Sequence, residues 1–167
     1  MLDPDLVIGD LGCGTGIVSG WLGLFCDRII AVDASKEMLA AARENLGGRK
    51  QIQLRHGSLD RLPIESGELD VALMMLVLHH QAEPKRVLAE AARALKQGGR
   101  VLILDMMPHD REEYRQTMGH VWLGFSEKQI TQWLNAAGFK DSRWRPIPPE
   151  SKAKGPSLFV AAARRTK

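Results

Sequence analysis

Cysteine is nearly absent: Cys13 and Cys26 are the only two. They are too few for a disulfide framework and neither belongs to a zinc-type pair, so both are expected to be reduced thiols. No apolar run reaches the roughly 18 residues that a bilayer span needs. The opening Met1-Leu2-Asp3-Pro4-Asp5 has neither the basic start nor the apolar stretch of a signal peptide, and a cytoplasmic location is the expectation. A strong excess of one charge is also missing. The formal net charge is +3, and the basic end Arg164-Arg165-Thr166-Lys167 is expected to be a solvated tail, which disfavours a nucleic-acid partner. No G-x-x-x-x-G-K-[ST] phosphate loop occurs, and there is no internal repeat.

What is present is ordinary globular sequence. With 44% hydrophobic and 26% charged residues in 167, the chain is neither disordered nor fibrous, and a single domain over 1–167 is expected. Residues 6–10 form a short apolar run that ends in glycines, as a buried parallel strand does, and residues 28–33 repeat it. Residues 17–25 leave room for a crossover helix. Ser35 caps a second helix with Met38, Leu39, Ala42 and Leu46 on one face. Strands are expected at 52–56, 70–76 and 101–105, with a helix over 84–97 stopped by Gly98-Gly99. This alternation is that of a doubly wound sheet.

The last third differs. Ser126-Glu127-Lys128-Gln129 starts a helix with a capping box, ended by Gly138. Two strands, 143–147 and 157–163, then follow with no helix between them, joined through Pro148, Pro149, Gly155 and Pro156. Such a pair can run antiparallel, unlike the strands of a purely parallel sheet. The expected organisation is a core at 6–106, a cover or substrate segment at 107–125, and a C-terminal helix and strand pair at 126–164.

Asp10-Leu11-Gly12-Cys13-Gly14-Thr15-Gly16 lies at the first strand-to-helix turn, where ligands meet the carboxyl ends of such sheets. A dinucleotide fingerprint spaces its last two glycines three apart; here they are two apart, behind an acidic residue. A carboxylate at position 10 is a poor neighbour for pyrophosphate and a good one for an ammonium or sulfonium cation. Asp33, ending the second strand, stands where a carboxylate accepts both hydroxyls of a ribose; the alternative is a simple turn cap.

Residues 7–16, Val32-Asp33, Gly57-Ser58-Leu59-Asp60-Arg61-Leu62-Pro63, Leu69-Asp70-Val71, Leu78-His79-His80 and Leu95-Lys96-Gln97-Gly98-Gly99-Arg100 together resemble the successive motifs of class I S-adenosylmethionine-dependent methyltransferases of the type 11 kind. The match runs in order over residues 6–105. The resemblance implies a Rossmann-like α/β fold: a doubly wound mixed sheet of seven strands with the last antiparallel. It also implies S-adenosyl-L-methionine as cofactor. Its methionine part would be held by the loop of Asp10, Gly12, Cys13, Gly14, Thr15 and Gly16, its ribose by Asp33, and its adenine by Ala34, Met38, Gly57, Ser58 and Leu59, with Met75 nearby. Where the family commonly has Asp after Gly57, this chain has Ser58, an uncharged and weaker acceptor of the adenine amino group. Residues 108–126 further resemble methyltransferase domains found behind ArsR-type winged-helix regulators.

Methyl transfer is a direct displacement activated by the sulfonium, so a base is optional. Candidates are His79, His80 and His109. The paired histidines suggest a metal, but adjacent residues rarely point into one site and no carboxylate or cysteine stands at ligand spacing; no metal is expected. Tyr114, Met118, Val121 and Trp122 are spaced for one helical face in a segment that would overhang the cofactor, so Tyr114 and Trp122 are candidate substrate contacts, or else core. The acceptor expected is a small molecule. A nucleic-acid acceptor would call for an Asn/Asp-Pro-Pro-aromatic loop where Met74-Met75-Leu76 stands, and arsenic methylation for several exposed thiolates. A non-catalytic S-adenosylmethionine-binding sensor or partner module is the alternative. The first strand begins about five residues in, with no upstream helix of the kind that covers the cofactor in related domains; the alternatives are a fragment of a longer protein, a cover supplied by a homo-oligomer or partner chain, or an open cofactor site.

Overall fold

The computed structural model describes residues 3–148 and 154–166; Pro149, and the expected tail residue Lys167, lie outside them. Strand β1 (Val7–Leu11) is buried at every position, as an interior strand of a parallel sheet must be when helices cover both faces. It is followed by α1 (Ile17–Leu22), β2 (Arg28–Asp33), α2 (Lys36–Leu46) and β3 (Ile52–His56). Next come β4 (Leu69–Met75), a single 3-10 turn at Leu78–His80, α3 (Pro84–Ala94) and β5 (Leu95–Met106). The chain ends with α4 (Glu113–Thr117), α5 (Glu127–Ala136), β6 (Phe139–Pro146) and β7 (Leu158–Arg165).

The seven strands form one sheet in the order β3-β2-β1-β4-β5-β7-β6. β1 through β5 are mutually parallel, and β7 runs antiparallel to both neighbours, β5 and β6. The expected mixed sheet is therefore present. Strand order reverses between β1 and β4, which places a crevice at their carboxyl ends.

The principal core is continuous from Leu11 and Val32 through Met74, Leu78, Leu88 and Ile103 to Phe125, Leu134, Phe139 and Phe159. Phe125, Phe139 and Phe159 are among its largest fully buried side chains. α2 buries Leu39, Ala42 and Leu46 as its periodicity requires, with the Ser35 hydroxyl accepting the Met38 amide at its N-terminus. Met38, placed by periodicity on the same face, is 44% exposed.

Four expectations about elements need correction. The crossover helix ends at Leu22, not near Phe25, leaving Ile17, Trp21, Leu24 and Phe25 exposed. The helix expected over 84–97 stops at Ala94, because Leu95 already pairs with Leu69 at the foot of β4; the Gly98-Gly99 pair then lies within β5, where the ladder shifts register. The single helical face expected from Tyr114 to Trp122 does not exist, for α4 ends at Thr117. The basic end is not a loose tail. Arg164 and Arg165 belong to β7, and the Arg165 guanidinium donates to the Leu95 carbonyl.

Candidate active site

The turn after β1 is built from three glycines with positive φ, Gly12 (84°), Gly14 (53°) and Gly16 (78°). Gly12 is required twice over: its φ is left-handed, and a Cβ there would stand 2.3 Å from Val77 Cγ2. Gly14 differs. A Cβ on it would meet nothing within 4 Å, so its backbone borders open space.

Asp33 ties this loop to the end of β2. Its Oδ2 accepts the Gly14 amide at 2.8 Å and its Oδ1 accepts the Ser35 amide at 2.9 Å. The turn-cap alternative is thus part of what Asp33 does, and each oxygen retains a lone pair for a ligand hydroxyl. Around the same mouth lie the exposed Ala34, Met38 and Ser58, with Thr15, Gly57 and Met75 half-buried. The Ser58 hydroxyl donates to the Asp60 carboxylate, which sequence reasoning had not paired with it. Leu59 turns its side chain into the core at 4% exposure, leaving only its backbone for a ligand.

Asp10 lies deeper than expected. It is 2% exposed and takes the Ser19 hydroxyl at 2.5 Å, so it braces the root of α1. Burial pushes its carboxyl above the usual carboxylate range, against the hydrogen bond from Ser19. Cys13 is buried beside it. Its thiol is pushed up to about 12 by burial and by the carboxylates of Asp10 and Asp33, so it stays protonated and unreactive.

Across the crevice, Leu76 follows β4 with φ 54° and is 41% exposed. A leucine in the left-handed region costs about 1–2 kcal/mol, and such outliers cluster at functional sites. Periodicity carries no sign of it. Val77, next in the chain, packs toward Gly12, and the turn Leu78–His80 follows. There Asp105, fully buried at the end of β5, accepts the Leu78 and His79 amides on Oδ2, and the Met106 amide and His79 Nδ1–H on Oδ1.

The segment 107–125 closes over this turn. Val121 and Trp122 amides both donate to the His79 carbonyl, and Trp122 Nε1 donates to the Gln81 carbonyl at 2.9 Å. Trp122 packs against Phe125 and Trp133, which makes it an extension of the core instead of an open substrate contact. Tyr114 stays at the rim, its hydroxyl accepting from Arg111 Nη1 and its ring 5.2 Å from that of His120. His109 accepts the Arg111 amide on Nδ1, so its buried Nε2 carries the hydrogen and has no partner. Burial depresses its pKa, with Arg111 adding to the effect. His120, buried at 5% exposure, was missed altogether. The available signal was a further histidine in a segment expected to overhang the strand ends. Its pKa is lowered to about 4, by burial first and then by the neighbouring imidazoles.

A family model described as a methyltransferase domain matches residues 9–103. The chain belongs to the methyltransferase domain family.

With that family goes S-adenosylmethionine as cofactor, and the residues present fit it: an open space bordered by the Gly14 backbone, a carboxylate at the end of β2, and exposed Ala34, Met38 and Ser58 beside it. The methyltransferase domain is 38% identical over 97 residues to an uncharacterised 37.1 kDa protein in a Streptomyces fradiae transposon, covering 56% of this chain and 28% of that one. It is 32% identical over 156 residues to a demethylmenaquinone methyltransferase of Clavibacter sepedonicus, covering 78% and 64% respectively. The chain therefore spans less than two thirds of the length of either relative. Among solved structures, an S-adenosylmethionine-dependent methyltransferase from Mesorhizobium loti superposes with a TM-score of 0.84 at 22% identity, over 98% of this chain and 94% of that one. That likeness concerns the fold. No helix among the described residues is long and apolar enough to cross a membrane.

Proposed function

We propose that this methyltransferase domain transfers a methyl group from S-adenosylmethionine to a small-molecule acceptor seated at the carboxyl ends of β4 and β5. The observation that carries the reading is the Asp33 carboxylate bonded to the Gly14 amide at the mouth of a loop whose central glycine borders empty space. The loop backbone then holds the amino-acid end of the cofactor, Asp33 its ribose, and Ala34, Met38 and the Leu59 backbone its adenine. Asp10 acts from beneath, fixing α1 through Ser19.

S-adenosylmethionine supplies an activated methyl group on a sulfonium. The protein has to orient the acceptor and keep water out. The strained Leu76 and the exposed Met118 and Val121 offer apolar surface for that purpose, while Tyr114 supplies a polar contact at the rim. Similarity to a demethylmenaquinone methyltransferase favours a hydroxylated aromatic ring as acceptor over a polynucleotide. The exposed Ile17, Trp21, Leu24 and Phe25 mark the flank beside the loop that a covering segment or partner chain would bury.

The test is incubation with methyl-labelled S-adenosylmethionine and a panel of reduced quinones, phenols and transfer RNA. Label in a quinol or phenol is the expected result. Label in RNA alone overturns the acceptor class, and tight cofactor binding with no labelled product in any acceptor favours the sensor or partner module.

A further inference from the structure

Three histidines, two adjacent on the turn after β4 and one from the covering segment, bring their rings into one cluster. His79 and His80 have ring centroids 4.2 Å apart, and His120 stands 4.3 Å from the first and 5.2 Å from the second. One ring nitrogen of each lies within 4.8 Å of the other two. We propose that His79, His80 and His120 bind a divalent first-row transition-metal ion of the zinc or cobalt kind, leaving one coordination position open.

The tautomers are set for it. A carboxylate oxygen of Asp105 faces His79 Nδ1 at 2.8 Å and the Gly119 carbonyl faces His80 Nδ1 at 3.1 Å. Both partners only accept, so each Nδ1 carries the hydrogen and each Nε2 presents a lone pair. A carboxylate behind a ligating imidazole is the usual outer partner of a metal-bound histidine. Asp105 is itself held rigid by three backbone amides.

The independent sign is His120. It is 5% exposed, and its Nδ1 is buried with no hydrogen-bond partner. An unpaired polar atom in that setting is destabilising, and the His79 and His80 rings beside it present nitrogens that accept. A cation at the centre satisfies all three. An all-imidazole set selects zinc, cobalt, nickel or copper over magnesium or calcium, and three protein ligands with a fourth place open is the pattern of reactive zinc centres. His80 is exposed, which gives the ion a path from solvent. The expectation of no metal rested on adjacent histidines diverging and on the lack of a carboxylate or cysteine at ligand spacing; the 3-10 turn instead brings both rings to His120, a third imidazole.

The ion site stands without the methyltransferase reading. Its use, an open position for water or for an acceptor oxygen beside the crevice, rests on that reading.

The chain is stripped with a chelator and titrated with Co²⁺ by visible absorption, then with Zn²⁺ against a chromophoric chelator. S-adenosylhomocysteine binding is measured on the same samples. One ion per chain is expected, with the intense visible bands of low-coordinate cobalt. His80→Ala, on the exposed ligand, and His120→Phe, which keeps ring volume, should each lower affinity by at least tenfold. Asp105→Asn should lower it about 10- to 100-fold, while His109→Asn should leave it unchanged. Circular dichroism reports folding in each case. A folded wild-type chain with no saturable ion binding, or equal affinity in wild type and His80→Ala, overturns the proposal. S-adenosylhomocysteine binding by a chain that takes up no ion on titration would sink the metal site and spare the methyltransferase reading; ion binding without cofactor binding would do the reverse.

Discussion

Gly12 and Gly14 stand two residues apart in the same loop with left-handed φ, yet they answer to different demands. Alanine at 12 collides with Val77, and Gly12→Ala should cost about 1–3 kcal/mol of stability and lower the melting temperature. Alanine at 14 meets open space, so Gly14→Ala should cost only about 1 kcal/mol, for the backbone conformation alone. Its methyl group would project where the cofactor is proposed to lie. Its S-adenosylhomocysteine affinity should therefore fall further than its stability; retained affinity in Gly14→Ala would move the ligand away from the loop. Asp10 gives a pH signature. Its folded pKa is raised by burial, so its contribution to stability is full below the ordinary Asp value of about 3.9 and is lost as pH rises through the folded value. Asp10→Asn keeps an acceptor for Ser19 and does not titrate. Its melting temperature relative to wild type should rise between acid and neutral pH, and a constant difference would contradict the burial argument.

Among the elements, the covering segment 107–125 is held by backbone bonds to the His79 carbonyl and by the side chains of Phe125 and Trp122. Trp122 is half-buried, packs against Phe125 and Trp133, and donates to the Gln81 carbonyl. Trp122→Ala should destabilise the protein by about 3–5 kcal/mol, whereas Trp122→Phe keeps most of the packing and gives up one hydrogen bond, about 1 kcal/mol. Both are read by chemical denaturation. A strong loss of catalysis in a Trp122→Phe protein of unchanged cofactor affinity would instead make Trp122 an acceptor contact. The same segment explains where periodicity misled. Tyr114, Met118, Val121 and Trp122 are spaced as a helical face, but the helix stops at Thr117 and the Val121 and Trp122 amides bond the His79 carbonyl instead. Tertiary hydrogen bonds outweighed a weak local pattern. At Leu95 a ladder partner on β4 likewise ended a helix that the Gly98-Gly99 pair suggested would run longer.

For the molecule as a whole, a ligand that binds only the folded state stabilises it by about 2.7 kcal/mol at a hundred times its dissociation constant. S-adenosylhomocysteine should raise the melting temperature accordingly. Asp33→Asn keeps an oxygen for only one of the two amides that the carboxylate holds, turns an NH2 towards the other and removes the charge, and should weaken binding about 10- to 100-fold, with the thermal shift shrinking at fixed ligand. An undiminished shift in the folded variant would remove Asp33 from the site. The order of the elements, the Ser35 and Ser126 caps and the glycine loop were all legible in the chain, because hydrophobic period, capping chemistry and turn glycines act over a few residues. These were enough to give a doubly wound sheet with a helix-free final pair of strands. The position of Asp10 beneath the loop, the left-handed Leu76 at its rim and the meeting of His120 with His79 and His80 were not legible. Each depends on contacts between segments distant in the chain, 41 residues apart in the case of His79 and His120, whose geometry is set by sheet order and side-chain packing and by no local pattern of residues.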